Sequence, residues 1–225
     1  FYQEILGYTA LTAGIVVAPR GFGAMAGLPM MGILTQKVDN RWLLFIGYIV
    51  FSASSFAFAN VHLGISPTTL LIPIIVAGFG MSFLFVPIGN MSTATLPNPE
   101  IGNATGIFNL LRNIGGSVGI ALAQTELVRR ACYHQTRLAA AVPQSNPWFQ
   151  QHMAEFSGYF GAHLGHANGP PAALGAMYRM MLRQSMLLSF IDVFRWCALV
   201  TVFCAGLAWL FRKVVHTEHG AEPGG

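Results

Sequence analysis

Residues 70–95, LLIPIIVAGFGMSFLFVPIGNMSTAT, contain no charged side chain and begin with an apolar run as long as a membrane-spanning helix. Such a helix needs about 20 predominantly apolar residues. The whole chain has a similar composition, because 54% of its 225 residues are hydrophobic and only 9% are charged. Soluble domains carry about 25% charged residues. The stretch and the composition together predict an all-α, polytopic membrane protein.

Comparable apolar runs occur along the whole chain, so the sequence predicts five membrane spans. They are expected at residues 9–34, 42–60, 68–93, 103–125 and 184–211. In the first and fourth spans, small residues recur every four positions, a spacing that lets helix backbones approach closely. These residues are Gly23, Gly27, Gly115, Gly119 and Ala123. Tight helix packing is the simplest interpretation, and a sliding interface is the alternative.

A long segment, residues 126–183, separates the fourth and fifth spans and predicts an extended loop. Five apolar residues within it recur at helical spacing and form one stripe. They are Phe149, Met153, Phe156, Phe160 and Leu164. A helix with such a stripe is typical of the membrane interface. The sequence HANGPP then interrupts the chain, and a helix is expected to restart near Ala172.

Four charged side chains fall inside the predicted spans, where charge is costly and marks candidates for function. They are Arg20, Arg112, Asp192 and Arg195. Asp192 and Arg195 are three residues apart on one helix, so they form either a structural ion pair or a site for proton movement through Asp192. An unpaired arginine near the bilayer centre costs at least about 2.5–3.5 kcal/mol. The two other arginines therefore need a distant carboxylate, water, headgroups, an anionic substrate group or backbone carbonyls freed beside Pro or Gly.

Arg112 lies in a polar stripe with Asn109 and Asn113, at i, i+3 and i+4 spacing on an otherwise apolar helix. This stripe predicts a water-lined face or a contact between helical bundles. The third span adds aromatic and methionine residues, which adapt to varied apolar ligands but also commonly face lipid. Its binding candidates are Phe83, Phe85 and Asn90.

The loop between the first two spans, GILTQKVDNRWLL at residues 32–44, resembles the signature loop of the major facilitator superfamily, Gly-x-Leu-x-Asp-Arg-x-Gly-Arg-Lys. The matching positions are Gly32, Leu34, Lys37 and Arg41. Gln36 stands in place of the signature Asp, and Asp39 in place of its Gly. Such departures are common in the second copy of this loop, so the resemblance points to the C-terminal half of such a protein.

Three further stretches resemble the fourteen-span drug:proton antiporters of the EmrB/QacA type. They are LGYTALTAGIVVAPRGFGAMAG (6–27), TGIFNLLRNIGGSVGIAL (105–122) and QSMLLSFIDVF (184–194). The resemblance implies that the five spans are spans ten to fourteen, and that the first residues end a preceding span. Residues 1–211 are then the C-terminal transmembrane bundle of a major facilitator fold, with 126–183 as a long periplasmic loop and 212–225 as a cytoplasmic tail.

The function that the resemblance implies is proton-coupled multidrug efflux by alternating access in the bacterial inner membrane. The expected partners are an N-terminal half, the lipid bilayer, hydrophobic drug-like molecules and protons, with a periplasmic adaptor and an outer-membrane channel as further candidates. The sequence predicts no cofactor, because it contains none of the common nucleotide-binding motifs. Nucleic acid is not expected either, since the basic residues behind the net charge of +4 are scattered.

Two other classes of function remain open at this stage. The chain could be a non-transporting membrane scaffold or a remnant of a split transporter gene. It could also be a membrane-embedded enzyme that modifies lipids, although its acidic residues outside the spans are scattered. His163 and His166 have the spacing of a metal-binding pair, but a solvated loop pair is the simpler interpretation, so no metal is predicted.

Overall fold

A computed structural model describes residues 9–62, 66–93, 96–143 and 145–210. These residues form α-helices and short 3₁₀ turns, with no strand among them. The α-helices are α1 Ala10–Val17, α2 Pro19–Lys37, α3 Asn40–Phe58, α4 Pro67–Thr93, α5 Ile101–Ala141, α6 Pro147–Leu164 and α7 Gly169–Leu207. The 3₁₀ turns are Asn98–Glu100, His166–Asn168 and Ala208–Leu210. The predicted all-α class is confirmed.

Five helical stretches of the described chain are long and apolar enough to cross a membrane. The first combines α1 and α2, which only Ala18 separates, and the others contain α3, α4, α5 and α7. The interruption falls directly before Pro19. Proline has no amide hydrogen and therefore suits the first turn of a helix. The prediction of five spans is thereby confirmed by length and composition.

The chain divides into two compact units. Among the described residues, the first unit comprises 9–14, 57–62, 66 and 117–196. The second comprises 15–56, 67–93, 96–116 and 197–210. The second unit contains α2, α4 and all of α3 except its last two residues, whereas the first contains α6 together with parts of α5 and α7. The predicted tail at residues 212–225 and the first residues of the chain lie outside the described part.

In the second unit, glycines bring the backbones of α2 and α4 into direct contact. A Cβ atom added at Gly23 would overlap the carbonyl oxygen of Ile75, and one added at Gly78 would overlap the carbonyl oxygen of Arg20. The Ser82 hydroxyl on α4 also donates to the Ala24 carbonyl on α2, at 3.0 Å. The close packing predicted from the glycine spacing of the first span is therefore observed, with partners on α4.

A small apolar core joins α3 to this pair of helices. Met31, Leu43 and Phe83 are each at most 3% exposed and form its centre. The Ser54 hydroxyl on α3 donates to the Pro73 carbonyl on α4 at 2.8 Å. Serine hydroxyls often form hydrogen bonds of this kind between helices in membrane proteins. The bond pairs the Ser54 hydroxyl and holds α3 next to α4.

In the first unit, α5 does not end at Thr125, as expected, but continues as one helix to Ala141. The continuation contains good helix formers, and the Arg130 Nε atom lies 2.9 Å from the Glu126 carboxylate one turn earlier. Pro143 follows two residues after the last helical position, and the residue before a proline disfavours helical backbone. Most of the segment 126–183 is consequently helical.

α6 confirms the helix that the apolar stripe predicted, and it has clear end signals. The Asn146 side chain accepts a hydrogen bond from the Trp148 amide at 2.9 Å, with Pro147 as the first helical residue. Gly165 has a φ of 89°, which glycine adopts without strain, and it ends the helix. The next helix, α7, begins at Gly169, slightly before the predicted restart near Ala172.

The stripe residues of α6 that can be described are half-buried. They are Phe149, Met153, Phe156 and Phe160. Trp148 and Tyr159 lie outside the stripe and are 51% and 61% exposed. The first unit therefore covers part of the apolar stripe. The aromatic surface that α6 exposes comes in part from Trp148 and Tyr159. The location of α6 relative to the membrane stays a prediction.

Candidate functional site

An open apolar pocket of about 460 Å³ lies within the second unit, between α3, α4 and α5. Its side chains are almost entirely hydrophobic and include the Met81 thioether and three phenylalanine rings. The remaining lining is aliphatic, apart from one guanidinium. The aromatic and charged contributors are Phe51, Phe85, Phe108 and Arg112. Ligand pockets for drug-sized molecules have about this volume and this mostly apolar character.

Arg112 is the charged residue of this pocket. Its guanidinium carbon lies 5.4 Å from the centre of the Phe85 ring on α4 and 6.0 Å from the centre of the Phe108 ring on α5. A guanidinium at this distance from an aromatic face gains about 0.5–1 kcal/mol at an exposed site. No carboxylate of the described residues lies within ion-pair distance of it. Within the second unit, two rings therefore take the place of an acidic partner.

Arg20 lies on α2 beside the same helix, α4. Its Nη2 atom is 3.1 Å from the Met81 sulfur, and thioether sulfur is a weak acceptor. Met81 lines the pocket, whereas Arg20 does not, so Arg20 contacts a pocket residue without lining the pocket itself. The Arg20 side chain is otherwise exposed.

The other predicted site residues take different positions. Phe83 belongs to the buried core with Met31 and Leu43, and it does not line the pocket, whereas Phe85 does. Asn90 is exposed near the end of α4. Asn109 is half-buried on α5, and Asn113 is exposed and takes part in an interaction. Of the seven candidates for the substrate path, the pocket contains Phe85 and Arg112.

Asp192 has closer partners than Arg195, which sequence spacing suggested. Its Oδ2 atom lies 2.9 Å from His134 Nε2 and 3.4 Å from Arg130 Nη1, both on α5. The Arg195 guanidinium lies 3.9 Å from the other carboxylate oxygen and is 57% exposed. His134 and Arg130 were missed because α5 was expected to end at Thr125. A helical continuation places Glu126, Arg130 and His134 on one face at spacings of four.

The signature-like loop is a tight connection between α2 and α3. The Val38 amide donates to the Leu34 carbonyl at 2.9 Å, and the Trp42 amide donates to the Asp39 carbonyl at 3.0 Å. Leu34 packs against the buried core. Gly32 and Lys37 are exposed, whereas Arg41 is half-buried. The loop is thus fixed by backbone capping and by one apolar anchor.

The histidines considered for metal binding lie near the end of α6. The His163 Nδ1 atom is 2.8 Å from the Tyr159 carbonyl oxygen one turn earlier, and His166 opens the following 3₁₀ turn. Among the described residues, no group of three His, Cys, Asp or Glu side chains is arranged to hold a metal ion.

Comparison with known proteins gives a family for this chain. The family model of the Major Facilitator Superfamily matches residues 1–125. The chain is 28% identical to the probable multidrug resistance protein EmrY of Escherichia coli (strain K12), over 97% of this chain and 41% of that protein. It is 28% identical to the colistin resistance protein EmrB of Acinetobacter baumannii, over 90% of this chain and 38% of that protein.

A third relative, the multidrug export protein EmrB of Escherichia coli (strain K12), is 26% identical over 99% of this chain and 42% of its own length. The chain therefore spans about two fifths of the length of these relatives. The resemblance to EmrB-type proteins that the four sequence stretches indicated is confirmed. Since the family model covers more than half of the chain, and five span-length helices accompany it, the chain belongs to the major facilitator superfamily, a family of non-enzymatic transport proteins.

Proposed function

We propose that this chain is the C-terminal half of a proton-coupled multidrug efflux transporter of the bacterial inner membrane. In this proposal an N-terminal half completes the substrate path, and the two halves rock against each other around a central site. The match of nearly the whole chain to about two fifths of each relative supports a role as part of a longer transporter. The resemblance of residues 32–44 to the second copy of the signature loop supports the C-terminal half. The names of those relatives, which refer to multidrug export and resistance, support multidrug efflux.

The observation that carries the proposal is the apolar pocket with Arg112 at its edge. Phenylalanine rings and the Met81 thioether can repack around apolar molecules of different shapes. The guanidinium adds one fixed charge that a polar substituent of a ligand can approach. A pocket with a flexible apolar wall and a single polar anchor suits a transporter of varied hydrophobic molecules.

The remaining parts of the proposal concern direction and partners. The loop at residues 35–41 faces the cytoplasm, and the helical segment 126–183 faces the periplasm. Drug leaves the cell as protons enter. The segment 126–183 is then available to a periplasmic adaptor that leads to an outer-membrane channel. These assignments rest on the signature-like loop and on the EmrB-type resemblance.

An efflux assay on the full-length gene product tests the proposal. Cells that lack their main drug exporters are loaded with a fluorescent hydrophobic drug, and its loss is followed after the cells are energised. Arg112→Ala is expected to accumulate normally and to lose most of the export, because the pocket loses its charge and the side chain that two rings hold in place. Arg129→Ala is the matched control, since Arg129 lies on the same helix, is 75% exposed and is outside the pocket.

Arg112→Lys separates two roles of the side chain. Lysine keeps the charge but lacks the planar guanidinium that stacks on aromatic rings. Partial export by Arg112→Lys indicates a simple charge role, and complete loss indicates that the planar group is required. Export by Arg112→Ala at the parent rate, measured per molecule of transporter, contradicts the proposed role of the pocket.

A further inference from the structure

A group of ionisable side chains connects α5 and α7 in the first unit, whereas the residues of the apolar pocket belong to the second unit. Asp192 on α7 lies 2.9 Å from His134 and 3.4 Å from Arg130 on α5. Arg130 also lies 2.9 Å from Glu126. We call Glu126, Arg130, His134 and Asp192 the charge cluster. Its side chains are only 19–28% exposed, so their interactions are less screened by solvent than those of surface pairs.

The charge of the cluster depends on one proton. Glu126 and Asp192 carry two negative charges and Arg130 carries one positive charge, so the cluster has a net charge of −1 when His134 is neutral. Protonation of His134 brings the net charge to zero. A neutral imidazole with hydrogen on Nε2 can still donate to Asp192, but a charge-assisted hydrogen bond is about twice as strong as a neutral one.

Other charged and titratable groups near the cluster are in solvent or have their own partners. Arg129 and Arg195 approach Glu126 and Asp192 but are 75% and 57% exposed, so they contribute little. The Tyr133 hydroxyl accepts a hydrogen bond from Arg137, and Tyr178 accepts one from Gln135. The end of α3 reaches α7 through the stacked rings of Phe58 and Phe194. On the described segment that follows, residues 59–62, the titratable residue is the exposed His62.

We propose that the charge cluster is a proton-operated clasp between α5 and α7. Protonation of His134 balances the cluster and holds the two helices together, whereas loss of that proton leaves one excess negative charge and weakens the contact. Histidine is the side chain that ordinarily changes charge between about pH 5 and pH 8. The clasp therefore tightens as the pH falls and loosens as the pH rises. This inference does not depend on drug transport.

The distance between the two helices at different pH values tests the clasp. Spin labels are attached at Ala139 on α5 and Met180 on α7, both exposed positions of the first unit. The full-length gene product is used, with its own cysteines replaced so that only these sites react. In the parent, the distance distribution measured by pulsed electron spin resonance is expected to be narrow at about pH 5.5 and clearly broader at about pH 8.

Two substitutions of His134 have opposite expected results. His134→Gln keeps a hydrogen-bond donor but cannot gain charge, so its distribution is expected to stay broad at both pH values. His134→Arg carries a permanent charge and is expected to stay narrow at both. His152→Gln is the matched control, because His152 pairs with Glu155 within α6 alone, and it is expected to respond to pH like the parent.

The parent measurement alone can overturn the proposal, since equal distributions at both pH values exclude a clasp. A His134→Gln variant that still narrows at acidic pH also excludes it, because another group then carries the response. If one variant accumulates poorly, the other variant is still measured. Together with the distance distributions of the parent at both pH values, it shows whether the charge of His134 holds α5 and α7 together.

Discussion

Gly78→Ala is expected to separate α2 from α4 and to destabilise the second unit. A Cβ atom at this position overlaps the Arg20 carbonyl oxygen, and the reciprocal contact joins Gly23 to the Ile75 carbonyl. A carbonyl inside a helix cannot rotate aside as a flexible side chain can, so the helix axes must move apart. Overpacking of this kind costs about 1–3 kcal/mol of the free energy of unfolding.

Thermal unfolding of the purified protein in detergent measures this cost. With about 2–4 °C per kcal/mol for a protein of this size, the Tm of Gly78→Ala is expected to fall by about 2–12 °C. Gly21→Ala is the matched control, because a Cβ at Gly21 on α2 has no described neighbour within 4 Å. Alanine in a helix is about 0.5–1 kcal/mol better than glycine, so the control keeps or raises the Tm. A Tm of Gly78→Ala at or above that of the parent refutes the backbone contact.

Three further predictions concern the pocket, the topology and α6. Phe85→Leu removes one of the two rings beside the Arg112 guanidinium and is expected to lower drug export about two- to five-fold. Phe22→Leu is the control, because the Phe22 ring is 70% exposed and lies outside the pocket, and it is expected to leave export unchanged. On intact cells, a membrane-impermeant thiol reagent is expected to label a cysteine placed at Gln151 and not one placed at Gln36; the reverse pattern contradicts the proposed topology. A spin label at Phe156, which is half-buried on α6, is expected to be shielded from water, and one at Gln151 is expected to be wet; equal water access at both sites excludes a shielded face.

The helices were predictable because apolar length decides them. A run such as residues 70–89 can satisfy its backbone in lipid only as a helix, and five such runs gave the five spans. The ends of α5 were less predictable, because hydropathy marks where a chain leaves lipid and not where its helix ends. The helix beyond Thr125 is polar, with Glu126 and Arg130 one turn apart. Helical spacing was the signal that could have revealed it.

The site was only partly predictable, since its contacts join residues from different helices. The cost of an unpaired charge singled out Arg112, but no sequence rule showed that Phe85 of α4 lies beside it. Phe83 and Phe85 have the same side chain and differ by two positions, about 200° around a helix. One consequently lies in the core and the other in the pocket, and the neighbouring helices decide which.

Coupling between drug and proton movement is the central claim, and reconstitution tests it most directly. The purified full-length gene product is placed in lipid vesicles that contain a pH-sensitive dye, and a hydrophobic drug is added to one side. Antiport predicts that the drug gradient drives protons in the opposite direction, and that an imposed pH gradient drives the drug against its own gradient. Drug movement at the same rate with and without a pH gradient, with no change in dye signal, would contradict the account.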